Sequence, residues 1–179
     1  MAEFKNLSTV EFQEKMKPAA LKIYNKIFPG CRVEDLRESG VNVHILDKEF
    51  GIDALIYLNG NQWISIQEKY RRNAALKYMD FTQEYMNGVG TKYENPGEWF
   101  KLGAQLYFYG WSNKEENAFE KWALLDIVKY KLFVQSVGGL DKIGTLQQNK
   151  KHGSASFYAI PINILKRGGC FITDYKQIR

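Results

Sequence analysis

The sequence predicts a mixed α/β fold, in which an antiparallel strand meander lies at the centre of a mixed sheet and is flanked by helices. Three observations predict it: a helical apolar period near the N-terminus, a change to strand-like alternation after Pro29-Gly30, and a hairpin signal at Asn59-Gly60-Asn61. Helical and strand-like patterns then alternate along the rest of the chain, which favours an α+β or mixed α/β sandwich.

The first segment is predicted as a helix. Ser8 and Glu11 have the spacing of a capping box, and apolar residues recur at helical intervals from Phe12 to Ile27. Pro29-Gly30 is expected to end this helix, because such a pair is a strong stop signal.

The meander is predicted over residues 41 to 70. Val41 to Ile45 alternate in polarity, as a half-buried strand does, and Asp47 to Gly51 are expected to form a turn or bulge. Ile52 to Leu58 is dense in apolar residues and is predicted as a central strand. The hairpin signal joins it to a third strand, Trp63 to Tyr70.

The rest of the chain is predicted more coarsely. After Arg72 the pattern is helical, and the aromatic run Tyr107 to Trp111 is expected in the core or at a dimer interface. Ala123–Val128 and Phe157–Pro161 are predicted strands, Lys129–Ser136 a strand extension or a helix, and Gly138–Gly153 a loop region. We expect a single domain over residues 1–179, with a core at about 8–135 and a C-terminal extension at about 136–179.

Composition limits the function classes. The 179 residues carry a formal charge of +5, which suits a polyanionic partner such as DNA without establishing one. No apolar run reaches the roughly 20 residues of a membrane-spanning helix, and no apolar signal core is present, so we expect no membrane partner. Cys31 and Cys170 are expected as free thiols, and the expected location is the cytoplasm, of a host if the chain is virus-encoded.

The residues that carry chemistry lie on the predicted hairpin. Gln67 and Lys69 are two apart on one strand and share a face, and Asp53 reaches that face from the neighbouring strand. A hard divalent cation prefers oxygen ligands, which Asp53, the Gln67 amide and the backbone carbonyl of Glu68 can supply. Lys69 could orient or deprotonate an attacking water, or offset charge on a phosphate. The pattern therefore indicates phosphodiester cleavage.

Gly51-Ile52-Asp53, a hairpin and then Gln67-Glu68-Lys69 resemble the motif of the PD-(D/E)XK nuclease superfamily, and the 14-residue interval from 53 to 67 falls in its usual range. The resemblance covers roughly residues 8 to 90, with a helix before the meander and another after the lysine. It implies a restriction-endonuclease-like fold and a DNA nuclease that depends on Mg²⁺ or Mn²⁺. It also implies an acidic residue on the first helix, for which Glu14 is preferred over Glu11.

The chain departs from that motif at Gln67, where the family has Asp or Glu. A neutral ligand weakens cation binding, so either another carboxylate compensates or the site is damaged. Asp47 and Glu49, just before the second strand, are candidate helpers.

Basic residues near the motif are candidate DNA contacts. Arg71, Arg72 and Lys77 follow the proposed catalytic strand and could grip phosphate oxygens, and Lys151 lies in a polar loop that could contact a DNA backbone. A solvated charge cluster explains Arg71, Arg72 and Lys77 equally well, and it is the preferred explanation for Lys151. Three functions stay open: a nuclease in DNA processing, recombination or restriction, expected as a homodimer if it cuts both strands; an inactive DNA-binding protein of the same fold; and a structural or assembly protein.

Overall fold

The computed structural model describes residues 7–36, 44–149 and 154–174. Its helices are α1 Leu7–Ile27, α2 His44–Phe50, α3 Glu98–Lys101, α4 Ile127–Ser136 and α5 Ile162–Arg167, with 3₁₀ turns at Asn73–Tyr78 and Leu140–Lys142. Its strands are β1 Arg32–Asp35, β2 Ala54–Tyr57, β3 Trp63–Arg71, β4 Asp80–Asn87, β5 Asn95–Pro96, β6 Leu106–Ser112, β7 Phe119–Asp126, β8 Thr145–Asn149, β9 Ala155–Pro161 and β10 Phe171–Asp174.

The strands form two sheets, which confirms the mixed α/β class. A six-stranded sheet has the order β1-β2-β3-β6-β7-β10 and is mixed, because β3 and β6 run parallel while its other pairs are antiparallel. A four-stranded antiparallel sheet has the order β5-β4-β9-β8. The helix predicted at the N-terminus is α1, and it packs one apolar stripe, Phe12, Met16, Ala20 and Tyr24, against the six-stranded sheet.

An antiparallel meander is present, but it lies at one edge of the six-stranded sheet rather than at its centre, and its first strand lies elsewhere than predicted. β1, β2 and β3 pair antiparallel in sequence order, with Arg32 opposite Tyr57 and Ala54 opposite Ile66. The predicted strand over 41–45 is wrong at its described end, since His44 and Ile45 begin α2, while residues 41–43 lie outside the described ranges. The expected turn at 47–51 is also helical, apart from Gly51 at a φ of 55°.

The helix predicted after Arg72 is wrong. A six-residue 3₁₀ segment, Asn73–Tyr78, is followed by β4, which carries Phe81 and Tyr85. Residues four apart share a face on a strand as well as on a helix, so this spacing fits both structures. The helix that the family resemblance placed after Lys69 is therefore replaced by a strand of the second sheet.

The aromatic run on β6 forms the centre of the molecule. Tyr107, Phe108 and Tyr109 are fully buried and Trp111 is 1% exposed, which confirms the core interpretation over a dimer interface. Tyr107, Tyr109 and Trp111 pack between the two sheets, whereas Phe108 faces α1. Both faces of β6 are covered.

The C-terminal part of the chain, expected as an extension, is part of this core. β9 belongs to the four-stranded sheet and β10 to the six-stranded sheet. Ile160, Leu165 and Cys170 are fully buried in the main apolar cluster. The segment 129–136 is helical, and Asp126 caps α4 by accepting a hydrogen bond from the Lys129 N–H at 2.9 Å. The region expected as loop contains β8.

Among the helices of the described residues, none has the length and apolar character needed to cross a membrane.

We expect the Phe81→Ala variant to lose about 3–5 kcal/mol of unfolding free energy, because this fully buried ring packs against three tyrosine rings and its removal leaves a cavity. Phe50→Ala is the matched control: that ring is 50% exposed, and its loss should cost under about 1 kcal/mol. Urea unfolding followed by circular dichroism measures both. Equal losses would contradict the assignment of Phe81 to the centre of the core.

Candidate active site

The hairpin brings the predicted site residues to one cavity. Asp53 immediately precedes β2, and its N–H donates to the Ile66 carbonyl at 2.9 Å, which places it beside Gln67 on β3. Both residues, together with Lys69, line a cavity of about 580 Å³ that is bounded by α1, α2, α3, β3 and β4. We call it the acidic cavity, because two cations, Lys69 and Lys101, stand among its described lining residues against six carboxylates, those of Glu14, Asp47, Asp53, Glu68, Glu84 and Glu98.

Asp53 is held in place by the neighbouring strand. The residue is only 5% exposed, and its Oδ2 accepts a hydrogen bond from the Glu68 N–H at 2.7 Å. This bond holds the carboxylate beside Glu68, in the part of β3 that extends past the first residue of β2.

The Gln67 amide oxygen is the group that best fits a cation. Its Oε1 is buried, and within the described part of the chain it has no hydrogen-bond partner. A buried carbonyl oxygen without a partner costs free energy, which a bound cation would offset. Gly51 lies against it: a Cβ at that position would be 3.0 Å from Oε1, and the φ of 55° is strained for other residues.

The side chain of Glu68 contacts α1, whereas its backbone N–H contacts Asp53. Its Oε1 accepts a hydrogen bond of 2.5 Å from the Tyr24 hydroxyl of α1, and burial together with this carboxylate raises the pKa of Tyr24 well above its usual value. The N–H and C=O of a strand residue point the same way, so the Glu68 carbonyl is directed to the side of Asp53. The Glu68 carbonyl oxygen is therefore on the same side of β3 as the Asp53 carboxylate.

Lys69 is fixed between two carboxylates that the sequence analysis did not single out. Its Nζ lies 3.0 Å from Glu84 Oε1 on β4 and 3.3 Å from Glu98 Oε2 on α3. Burial alone would lower the pKa of Lys69, but the two carboxylates outweigh it and raise that pKa above its usual value. The lysine is therefore a fixed cation rather than a group that can take a proton from water near neutral pH.

The two carboxylates around Lys69 differ in their own acidity. The ammonium holds the pKa of Glu84 below its usual range, whereas burial raises the pKa of Glu98 against the opposing effect of Lys69. The Glu98 side chain is only 12% exposed and that of Glu84 is 42% exposed, which explains why desolvation dominates at Glu98 alone.

Of the other acidic candidates, two line the acidic cavity and two do not. Glu14 lines the acidic cavity and pairs with Lys17 at 2.8 Å, and Lys17 also pairs with Asp35 at 2.7 Å. Asp47 lines the cavity as well, whereas Glu49 and Glu11 are exposed and do not line it.

Three of the basic candidates, Arg71, Arg72 and Lys77, line a second concave surface that shares Thr9 with the acidic cavity. Arg71 is half-buried between the sheets and donates to the Thr82 hydroxyl at 2.6 Å and to the Tyr109 hydroxyl at 3.1 Å. Arg72 pairs with Glu116 and lies over the Phe12 ring at 4.5 Å, while Lys77 is exposed. Lys151 lies outside the described residues.

The carboxylates of the acidic cavity do not converge on one point. Within the described ranges, no three Asp, Glu, His or Cys side chains come close enough to hold a metal ion. A cation in this cavity would therefore need amide and backbone oxygens as well as a carboxylate, and Gln67 and Glu68 supply those oxygens.

Comparisons with models of protein families, with curated proteins and with solved structures find no match for this chain.

We expect Glu84 and Glu98 to contribute to stability with opposite pH dependence. The lowered pKa of Glu84 stabilises the fold above the usual carboxyl pKa, and this contribution is lost as the pH falls through the lowered value. The raised pKa of Glu98 stabilises the fold below the usual pKa, and this contribution is lost as the pH rises through the raised value. Relative to the wild type, Glu84→Gln should therefore lose stability and Glu98→Gln should gain it as the pH rises.

Chemical unfolding of the three proteins from about pH 3 to about pH 8 measures these differences in the free energy of unfolding. Glu115→Gln, at an exposed position away from the cavity, is the control and should follow the wild type at every pH. The same trend in both cavity variants would contradict the assignment.

Proposed function

We propose that this chain is a metal-dependent DNA nuclease, an endonuclease of the PD-(D/E)XK kind that hydrolyses phosphodiester bonds. The observation that carries the proposal is that Asp53, directly before β2, and Gln67 and Lys69 on β3 line one acidic cavity, in which the Gln67 oxygen has no partner among the described residues. The mixed sheet with its antiparallel meander supports the proposal, although a strand, β4, follows the lysine where that family has a helix.

The proposed cofactor is Mg²⁺ or Mn²⁺. Asp53, the Gln67 Oε1 and the Glu68 carbonyl would hold it, because all three are hard oxygen donors on the same end of the hairpin. When bound, such a cation activates water and stabilises negative charge on the reacting phosphate. The excess of carboxylates in the cavity favours a divalent cation over a monovalent one, since attraction grows with charge.

Lys69 would act as a fixed positive charge for the phosphate. Glu84 and Glu98 hold its ammonium in one place, and the raised pKa keeps it protonated throughout the physiological range. A preorganised cation stabilises charge that develops during the reaction without having to reorient. This geometry supports charge compensation and orientation of water by Lys69 rather than proton removal.

Arg72 and Lys77, next to the cavity, are the proposed phosphate contacts, with Arg71 as a more rigid neighbour. Cleavage of both strands of a duplex would need two copies of the chain, so a homodimer is part of the proposal. Because Gln67 is neutral, a DNA-binding protein without cleavage activity is the second candidate, and the same experiment distinguishes the two.

We expect Mg²⁺- or Mn²⁺-dependent nicking of supercoiled plasmid that a chelator abolishes. Asp53→Asn and Lys69→Met should each lower the nicking rate by about a hundredfold or more, because each removes a charge at the reacting centre. Asp141→Asn and Lys142→Met are matched controls, since these residues form an exposed ion pair at 2.8 Å and do not line the cavity. Salt-sensitive DNA binding without nicking would instead support the second candidate.

We also expect Gln67 variants to change cation affinity. Gln67→Glu adds a charge and should tighten Mn²⁺ binding about tenfold while destabilising the metal-free protein, and Gln67→Leu should weaken binding by a similar factor. Titration calorimetry with Mn²⁺ measures the affinity without reference to activity. Gln148→Glu, on the exposed strand β8, is the control and should leave it unchanged. Equal Mn²⁺ affinities for all of these proteins would contradict the role of Gln67 as a cation ligand.

A further inference from the structure

Two further concave surfaces follow the acidic cavity in a row. The first, of about 480 Å³, shares Thr9 with the acidic cavity and is lined by Arg71, Arg72 and Lys77. We call it the basic depression, because these three residues are cationic and none of its lining residues within the described ranges is acidic. The second, of about 370 Å³, shares Tyr78 with the basic depression, and we call it the apolar pocket.

Charge changes sign along this row. The acidic cavity would repel a phosphate unless a cation were present, whereas the basic depression presents Lys77 and also Arg72, whose guanidinium pairs with Glu116, and these cations attract phosphate. A polyanion that reacts in the cavity can therefore be held beside it, with its next phosphates on Arg72 and Lys77.

The lining of the apolar pocket suits a ligand that has a flat ring and a neighbouring negative charge. Its walls are apolar, formed by Met79, Pro161, Ile162 and Phe171. Trp111, which also lines it, is 1% exposed, and its indole N–H has no hydrogen-bond partner in the ranges that the structure describes. Lys121 and Lys166 supply positive charge, while Asp174, paired with Lys166 at 2.8 Å, is the acidic residue in the lining.

Tyr78 connects the two surfaces. Its side chain is 63% exposed, and the Lys77 Nζ lies 4.9 Å from the centre of its ring. An exposed ring beside a cation can stack a nucleobase while the cation meets the adjacent phosphate.

We propose that a single-stranded segment of DNA runs from the acidic cavity across the basic depression, stacks on Tyr78 and places one base in the apolar pocket. The identity of the ligand as DNA rests on the proposed function. A single strand is the occupant because its bases are free to stack and enter a pocket, whereas those of a duplex are paired and stacked inside the helix. The substrate class is thus DNA with a single-stranded end, flap or gap.

Fluorescence anisotropy with labelled oligothymidine, in a buffer containing chelator, measures this binding without cleavage. Tyr78→Ala should weaken binding about tenfold through the lost stacking. Tyr93→Ala is the matched control: Tyr93 is 66% exposed and has Lys92 at 5.1 Å from its ring, but it lines none of the three surfaces. Equal effects of the two variants, or an equal loss for blunt duplex, would overturn the proposal.

The salt dependence tests the apolar pocket itself. Lys121→Gln should reduce the slope of log affinity against log salt by about 0.7 for a single strand, as expected for one lost phosphate contact. Lys114→Gln, exposed and outside the three surfaces, should leave the slope unchanged. Photocrosslinking of iodouracil-substituted oligonucleotide should label Tyr78, Met79 or Phe171, and labelling confined to other residues would contradict the path.

The outcomes separate this inference from the proposed function. Metal-dependent nicking with no special role for Tyr78 would support the nuclease proposal and contradict the single-strand path. Selective single-strand binding through Tyr78, without nicking under any metal, would support the path and contradict the nuclease proposal.

Discussion

The register of the β2–β3 hairpin is the constraint on which the candidate site depends. Ala54 lies opposite Ile66, and this pairing sets Asp53 beside Gln67 at the end of the sheet. Burial of Ala54 and Ile66 at 2% and 0% exposure holds the register, because a slip by one residue would move these side chains off the core. The same slip would turn Gln67 and Lys69 away from the cavity. The apolar face of the hairpin thus fixes the geometry of its polar face.

The parts of the site that the sequence predicts are those set by local patterns. The two-residue period of β3 places Gln67 and Lys69 on one face, and the turn at Asn59-Gly60-Asn61 brings Asp53 to them. Gly60 and Asn61 adopt φ values of 83° and 64°, as the turn signal requires.

Errors arise where a pattern fits two structures or where pairing is long-range. β1 has one apolar residue, Val33, among charged neighbours, which an edge strand tolerates, so it carries little strand signal. β4 has a spacing that suits a helix equally well. Because β4 supplies Glu84, the misassignment of β4 as a helix also hides this partner of Lys69. No local signal indicates that Glu84 and Glu98 meet a lysine 15 and 29 residues earlier.

The neutral residue at position 67 is consistent with the second sheet's contribution to the cavity. Glu84 and Glu98 already place two carboxylates around the ammonium of Lys69, and the raised pKa of Glu98 shows that negative charge is costly there. A further carboxylate at position 67 would add repulsion in the absence of a cation, whereas glutamine keeps an oxygen donor in place without that charge. In the proposed metal site, Gln67 would therefore exchange some cation affinity for a stable metal-free fold, and Asp53 would supply the carboxylate ligand.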